Sequence, residues 1–285
     1  MQPPLIIEVA VNGATTRAEH PRVPIAAGEI VADARACARE GAAVIHVHGR
    51  TGDGGFAFDD AEAYRPVFKE LRGDGLVVYP TMLGSRGDAR ARWAHVDALD
   101  DAGLIDWAPL DPGSTNLVGA RDGRLAERGF TYANPIEETR YMLGLCERRG
   151  LAPSVALYEP HFARHLLLLL PEFPRLRRPV MRFMFGGARL PFGFPPENQF
   201  ADAYAALLRD RPDLPWMAAC LGGDVLPIAE HVVARGGHLR VGLEDDASDP
   251  ARGNVERVRE IAAIARRLGR RIATPAEARD LTARP

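Results

Sequence analysis

Residues 238–268, HLRVGLEDDASDPARGNVERVREIAAIARRL, hold one complete strand-to-helix unit. His238–Val241 reads as a short strand. From residue 254 to 268, Val255, Val258, Ile261, Ala262, Ala265 and Leu268 fall on one helical face and arginines on the other, the pattern of an amphipathic helix. The same alternation recurs upstream. Strands are predicted at Leu5–Val11, Ala43–Val47, Leu76–Pro80, Ile105–Pro109, Ser154–Leu157, Val180–Phe185 and Leu214–Met217. Helices are predicted at 26–40, 59–71, 88–101, 136–149, 161–170, 197–209 and 223–235. Eight units with no linker predict an α/β fold: a single-domain (β/α)8 TIM barrel over residues 1–285 with a C-terminal helical tail. A doubly wound open sheet fits the same alternation, because strand order is not written in the sequence. The long irregular stretches 110–135 and 186–196 follow strands four and six, which in a barrel puts both at the C-terminal face where sites are built.

The bulk composition excludes several classes of function. With 46 % hydrophobic and 26 % charged residues and a net charge of −2, the chain is an ordinary globular protein with no call for nucleic acid or an anionic membrane as partner. Small molecules are the expected ligands. Cys37, Cys146 and Cys220 show no CxxC spacing and an odd count, so a reducing cytoplasm is expected rather than a disulfide framework. The N-terminal segment has no signal-peptide pattern, and the longest greasy run, Leu166–Leu170, is far short of a membrane span. Lys69, near the end of a predicted surface helix, is the only lysine. This removes P-loop, Schiff-base and pyridoxal chemistry, all of which need a lysine amine in the site.

The candidate chemistry gathers at the ends of strands. His46 and His48 in AVIHVHGR are separated by one residue on strand two, so both imidazoles point to one side. Glu244 and Asp245 emerge at the end of strand eight, which in a closed barrel lies two strands from strand two. Glu244 can therefore complete a His2Glu metal site of the kind zinc enzymes use, with a position left for water or substrate. The bland readings are a core histidine beside a surface one, and a solvated acidic turn. Arg240 can hold Asp245 ionised and oriented as a general base, or form a plain ion pair. Glu8, Asn12, Thr81 and Ser114 stand at other strand ends as candidate substrate contacts, as do Asn116, Glu159 and His161, each of which can equally be a loop or cap residue. Gly222 and Gly223 open the helix after strand seven, where barrels commonly hold phosphate on backbone N–H groups. Cys220 has no histidine poised to activate it as a nucleophile.

Five segments together resemble the β-keto acid cleavage enzyme family: VNGATTRAEHPRVPI (11–25), GAAVIHVHGR (41–50), PGSTNL (112–117), GGHLRVGLEDD (236–246) and LGRRIATPAEARDL (268–281). The resemblance implies a (β/α)8 barrel with a divalent metal, usually Zn2+, forming homotetramers. It implies conversion of a β-keto acid and acetyl-CoA into acetoacetate and a new acyl-CoA. By position, His46, His48 and Glu244 match the metal ligands, and Asp245 and Arg240 match the base and its partner.

Departures bear on the substrate. In the family's aminohexanoate enzyme a glutamate before the TTR motif recognises the substrate amine, whereas here Ala14 precedes Thr15, which argues against a cationic amino substrate. Thr81 replaces a serine and keeps the hydroxyl; Pro109 replaces a threonine and loses it. Glu8 stands where the relative has a smaller polar residue. Two rival readings are a metal-dependent barrel hydrolase of the amidohydrolase type and a non-catalytic barrel that binds metal or acyl-CoA. The first wants HxH on strand one and histidines on strands five and six, while here the pair is on strand two and strand six has none.

Overall fold

A computed structural model describes residues 2–82 and 88–283. Eight parallel strands form one sheet: β1 (Ile7–Ala10), β2 (Val44–Val47), β3 (Val77–Pro80), β4 (Trp107–Leu110), β9 (Ala152–Leu157), β10 (Val180–Gly186), β11 (Trp216–Leu221) and β12 (His238–Val241). Their order is β3-β2-β1-β12-β11-β10-β9-β4, and β3 and β4 run side by side where the sheet curls back on itself. The result is a (β/α)8 barrel, nearly closed. A doubly wound sheet is excluded because β1 pairs with both β2 and β12 and the order never reverses into a crevice.

The helices that return the chain are α1 (Ala27–Glu40), α2 (Ala61–Gly73), α3 (Ala89–Asp101), α4 (Ile136–Arg149), α5 (Pro160–Leu169), α6 (Asn198–Ala206), α7 (Leu226–Ala234) and α8 (Asn254–Arg267). On α8 the expected stripe of Val258, Ile261, Ala262 and Ala265 is buried, whereas Leu268 lies past the helix end and is 38 % exposed. The tail helix α9 (Pro275–Leu281) sends Ala278 into the cluster that fills the N-terminal end of the barrel with Ile6, Val44, Val77, Trp107 and Met217. Because the side-chain period of a strand is two, the next inward layer carries Glu8, Tyr79, Ser154, Arg182 and Arg240, with His46, level with Ala10, a step nearer the mouth than Glu8. That layer is polar.

Two expectations need correction. Strand seven is Trp216–Leu221 rather than Leu214–Met217, so Cys220 lies buried within the strand. Pro215 has no N–H for the ladder, and the small Ala218 and Ala219 hide a real strand from a search for β-branched residues. The stretch 110–135 is partly ordered: β5 (Thr115–Leu117) pairs antiparallel with β8 (Phe130–Tyr132), and β6 (Ala120–Arg121) with β7 (Arg124–Leu125).

Asn254 at the start of α8 ties the outer helices to the strand ends. Its Nδ2 donates to Val11 O at 2.8 Å and Asp33 Oδ2 at 2.6 Å, while its Oδ1 accepts from Leu243 N at 2.8 Å. Burial pushes the Asp33 carboxyl up to about 6. The folded protein thus holds a proton that the unfolded chain releases near pH 4, so this group's stabilisation is present at low pH and lost as pH rises through 6. Asp33→Asn keeps an acceptor for Asn254 without the charge. Urea unfolding should find the variant about 1–3 kcal/mol more stable than wild type at pH 7.5, with the gap closing toward pH 4. Parallel stability curves across that range would show Asp33 to be ionised freely in the fold.

Candidate active site

At the C-terminal mouth of the barrel the side chains of His46 on β2 and His48 just beyond it converge with Glu244, which follows β12. Glu244 Oε2 lies 3.4 Å from His46 Nε2 and 3.1 Å from His48 Nε2. One ligand atom from each of the three lies within 4.8 Å of the others. The two imidazoles stand edge to face with centroids 5.0 Å apart, and Tyr79 packs on His46 at 4.5 Å.

Glu244 reaches the histidines because two glycines let the chain pass closely. Gly242 has φ +146, and a Cβ there would sit 2.1 Å from Ala10 O. Gly13 has φ +52, and a Cβ there would sit 2.4 Å from Glu244 Cγ. Around them the strand ends are stitched together. Thr15 Oγ1 donates to Leu243 O at 2.7 Å, Glu244 N to Ala10 O at 3.2 Å, and Arg50 Nη2 to Gly13 O at 2.6 Å and Thr15 O at 2.9 Å.

The donor set fits a divalent cation. His46 Nδ1, both nitrogens of His48 and Glu244 Oε2 are buried with no hydrogen-bond partner among the described residues, a costly state unless something else is bound. Burial pushes His46 well below the usual imidazole range, toward the neutral, ligating form. Burial also pushes the Glu244 carboxyl upward, but Arg240, His48 and His46 outweigh it and hold it well below its usual range. Among the ion pairs of the described residues, Glu8, Glu244 and Asp245 meet Arg182 and Arg240, three carboxylates against two guanidinium groups. A dication would add positive charge to this acid-rich cluster.

Beside the triad, Arg240 grips Asp245 with two bonds, Nε to Oδ2 at 3.0 Å and Nη2 to Oδ1 at 2.8 Å, and its Nη2 also lies 2.7 Å from Glu244 Oε1. Burial raises Asp245 above the usual carboxylate value even against Arg240. A carboxylate so placed is oriented and more basic than one in water.

The other residues read from the sequence occupy varied places. Asn12 is buried and spends its side chain on the backbone of His48, accepting from His48 N at 2.9 Å and donating to His48 O at 3.0 Å. Glu8 is fully buried one layer below the mouth, bound by Tyr79, Arg182 and Arg240. Thr81 is buried at the mouth beside His95, whose Nε2 lies 2.7 Å from Thr81 O. Ser114 accepts from Asn134 N at 2.8 Å. Gly222 donates to Asp245 O at 2.8 Å and packs on Leu190; a Cβ on Gly223 would sit 2.9 Å from Gly187 Cα. Just after these glycines Asp224 Oδ1 accepts from Leu226 N at 3.0 Å, so a carboxylate of the chain itself meets the start of α7. Glu159 accepts from Thr115 Oγ1 and Gly193 N, and His161 is exposed.

Four residues escaped the sequence reading. Arg182 and Tyr79 form part of the polar layer, and Asp111 at the end of β4 accepts a hydrogen bond from Tyr132. The signal for Arg182 was present: in Val180–Phe185 an arginine shares the inward side with Val180 and Met184. Above β9–β11 the mouth is apolar, formed by Leu117, Tyr132, Met184 and Phe192 with Leu190 and Leu221 packed against them.

The beta-keto acid cleavage enzyme family matches residues 4–283. The chain belongs to that family. It is 26 % identical over 293 residues to the 3-keto-5-aminohexanoate cleavage enzyme of Fusobacterium nucleatum, covering 99 % of this chain and 98 % of the relative. It is likewise 26 % identical to the 3-oxoadipate:acetyl-CoA acetyltransferase of Cupriavidus necator, covering 100 % of this chain and 96 % of the relative. Among solved structures, ObcA in a ternary complex with a C4-CoA adduct and oxalate superposes with a TM-score of 0.69 at 21 % identity, over 92 % of this chain and 67 % of ObcA, which supports the shared fold. Relatives in the family are named as acetyl-CoA-dependent transferases, which supports an enzyme here. Among the described residues no helix is long and apolar enough to cross a membrane.

Gly13→Ala tests how the triad is held. A Cβ at that φ meets the Glu244 side chain, so the variant should fold yet bind Zn2+ at least tenfold more weakly in a competition titration, a loss of about 1.4 kcal/mol. Unchanged affinity would mean that Glu244 can shift without consequence.

Proposed function

We propose that this enzyme exchanges acyl groups between a β-keto acid and acetyl-CoA, giving acetoacetate and a new acyl-CoA, at a divalent-metal site held by His46, His48 and Glu244. The observation that carries the reading is the His46–His48–Glu244 triad, with buried ligand atoms that lack hydrogen-bond partners among the described residues, beside an arginine-clamped carboxylate in a chain of this family. Zn2+ is the metal best matched to two imidazoles and a carboxylate, and when bound it would supply Lewis-acid polarisation of the keto acid. Relatives named for acetyl-CoA point to the co-substrate.

The chain's own residues would act as follows. Asp245 takes a proton from the keto acid's C2, the carbon between its two carbonyl groups, while Arg240 keeps the carboxylate aimed. C2 then bonds to the acetyl carbonyl carbon, and the C–S bond breaks to release CoA as thiolate. The thiolate adds to the original keto carbon, the bond from that carbon to C2 breaks, and acyl-CoA leaves. Asp245 returns the proton to C2, completing acetoacetate. Atoms and electrons balance without an oxidant, a lysine or a covalent enzyme intermediate. The retained Asp245–Arg240 pair counts against a silent metal-binding barrel. A homo-oligomer and a cytoplasmic setting complete the reading, from the family resemblance and the free thiols.

The apolar wall above β9–β11, with Asp111 at its side, suits a neutral aliphatic side chain on the keto acid better than a second carboxylate. Burial of each added methylene is worth about 0.8 kcal/mol, close to fourfold in kcat/KM. A panel of β-keto acids with neutral, carboxylate and ammonium side chains, assayed with acetyl-CoA for acetoacetate, should rise along the neutral series to a limit set by the wall. A preference for the dianionic or cationic members would overturn that assignment.

Metal analysis should find about one divalent ion per chain in wild type and little in His46→Ala. Asp245→Asn should keep the metal and lose on the order of 10²–10⁴ in kcat. Metal-free wild type, or no exchange across the whole panel, would sink the proposal; hydrolysis without CoA would instead favour the amidohydrolase reading.

A further inference from the structure

Inside the barrel, one layer below the metal-ligand triad, lies a charged pair that the reaction as proposed does not use. Arg182 on β10 and Glu8 on β1 are both buried, and their partners lie across the lumen. Arg182 Nη1 donates to Glu8 Oε1 at 3.1 Å, Tyr79 OH at 2.6 Å and Ser154 Oγ at 2.7 Å. Tyr79 OH donates to Glu8 Oε1 at 2.6 Å. Since β10 and β3 are far apart in the strand order, these bonds span the barrel interior.

The same Glu8 oxygen lies 3.5 Å from Arg240 Nη1. Arg240 is therefore held at both ends. Its Nε and Nη2 face Asp245 and Glu244, and its remaining nitrogen faces Glu8. A guanidinium is planar, so fixing its third nitrogen from below sets the plane in which the other two present themselves to Asp245. Glu8 in turn has little freedom, because Arg182 and Tyr79 hold the oxygen that faces Arg240.

We infer that Glu8 is a positioning residue for the carboxylate base: it fixes the Arg240 guanidinium from beneath, and Arg182 with Tyr79 and Ser154 anchors Glu8. The inference rests on the functional reading given above for Asp245. A buried pair of this kind has another explanation, that it is only charge neutralisation within the core, and the two differ in what removing both charges does.

The test is a charge-neutral excision, Glu8→Leu with Arg182→Met, measured beside wild type and the single variant Arg182→Met. In the single variant Glu8 loses one anchor but keeps Tyr79 and Arg240, so kcat should fall less than in the double variant. The double variant should keep its KM and its Zn2+ affinity while kcat falls about 10–100-fold, the cost of a small misplacement of a reacting group. Its crystal structure should show the Arg240 guanidinium turned away from its two-bond grip on Asp245. Should the double variant fail to fold, Glu8→Gln serves instead: it keeps an acceptor oxygen with no charge and should give an intermediate loss of kcat. An unchanged kcat in the double variant or in Glu8→Gln, or an Arg240 that has not moved, overturns the inference. Absence of exchange activity in wild type would fail the functional reading instead, and the position of Arg240 in the double variant would still decide this one.

Discussion

Arg240 is the charge on which the interior of this barrel depends. Its guanidinium meets three carboxylates, Glu8, Glu244 and Asp245, and is itself buried. Two of those acids are adjacent in sequence. Without Arg240 they would face one another and Glu8 in a medium where each unpaired ion costs several kcal/mol. The usual outcome is protonation, and a protonated Glu244 is a poor ligand while a protonated Asp245 is no base. One arginine thus keeps both acids in the form their proposed roles require. The apolar surroundings supply the stability such a polar layer consumes, with a plug of Ile6, Val44, Val77 and Trp107 below and a continuous core between sheet and helices.

Much of this was readable from local pattern. The alternation of strand and amphipathic helix gave the barrel, and the period of two placed His46 and His48 on one side. The order of strands around a barrel then brought Glu244 to them from the far end of the chain. Each of these steps uses a geometric regularity that does not depend on partners. What stayed hidden depends on them. Asn12 and Ser114 look like free polar groups at strand ends, but their hydrogen bonds go to His48 and Asn134, and such pairings have no local signature. Arg182 lay in plain view within an apolar strand. Its meaning came only from Glu8 and Tyr79 across the lumen, two strands that sequence spacing does not connect. Strand seven was misplaced for a different reason, since Ala218 and Ala219 carry almost no strand preference and only their neighbours on β10 and β12 make them a strand.

The site also shows how a loop can be made as firm as a strand. Glu244 lies beyond the end of β12, where precision is usually lost. Here the loop is fastened from several directions: Thr15 on Leu243 O, Asn254 on Leu243 N, Gly222 on Asp245 O, and the backbone of Ala10 on Glu244 N. Arg50 fastens the opposing loop in turn by its bonds to Gly13 and Thr15. The Gly49-Arg50 pair that follows the histidines therefore has a structural logic of its own. Arg50, just beyond the end of β2, holds the loop against which Glu244 leans.

These fastenings and the buried charges answer one requirement. A base that takes and returns a proton at a single carbon, the role proposed for Asp245, has to be oriented before substrate arrives, because reorganisation at the moment of reaction would enter the barrier directly. Water could not provide that orientation, and an apolar barrel interior would not leave the base ionised. The layered interior resolves the conflict by separating the tasks along the barrel axis. Apolar side chains at the bottom provide stability, paired charges in the middle fix direction, and the uppermost layer, with the imidazoles and Glu244 Oε2, offers the proposed ligand atoms. Chemistry is thereby confined to the one end of the barrel that opens to ligand.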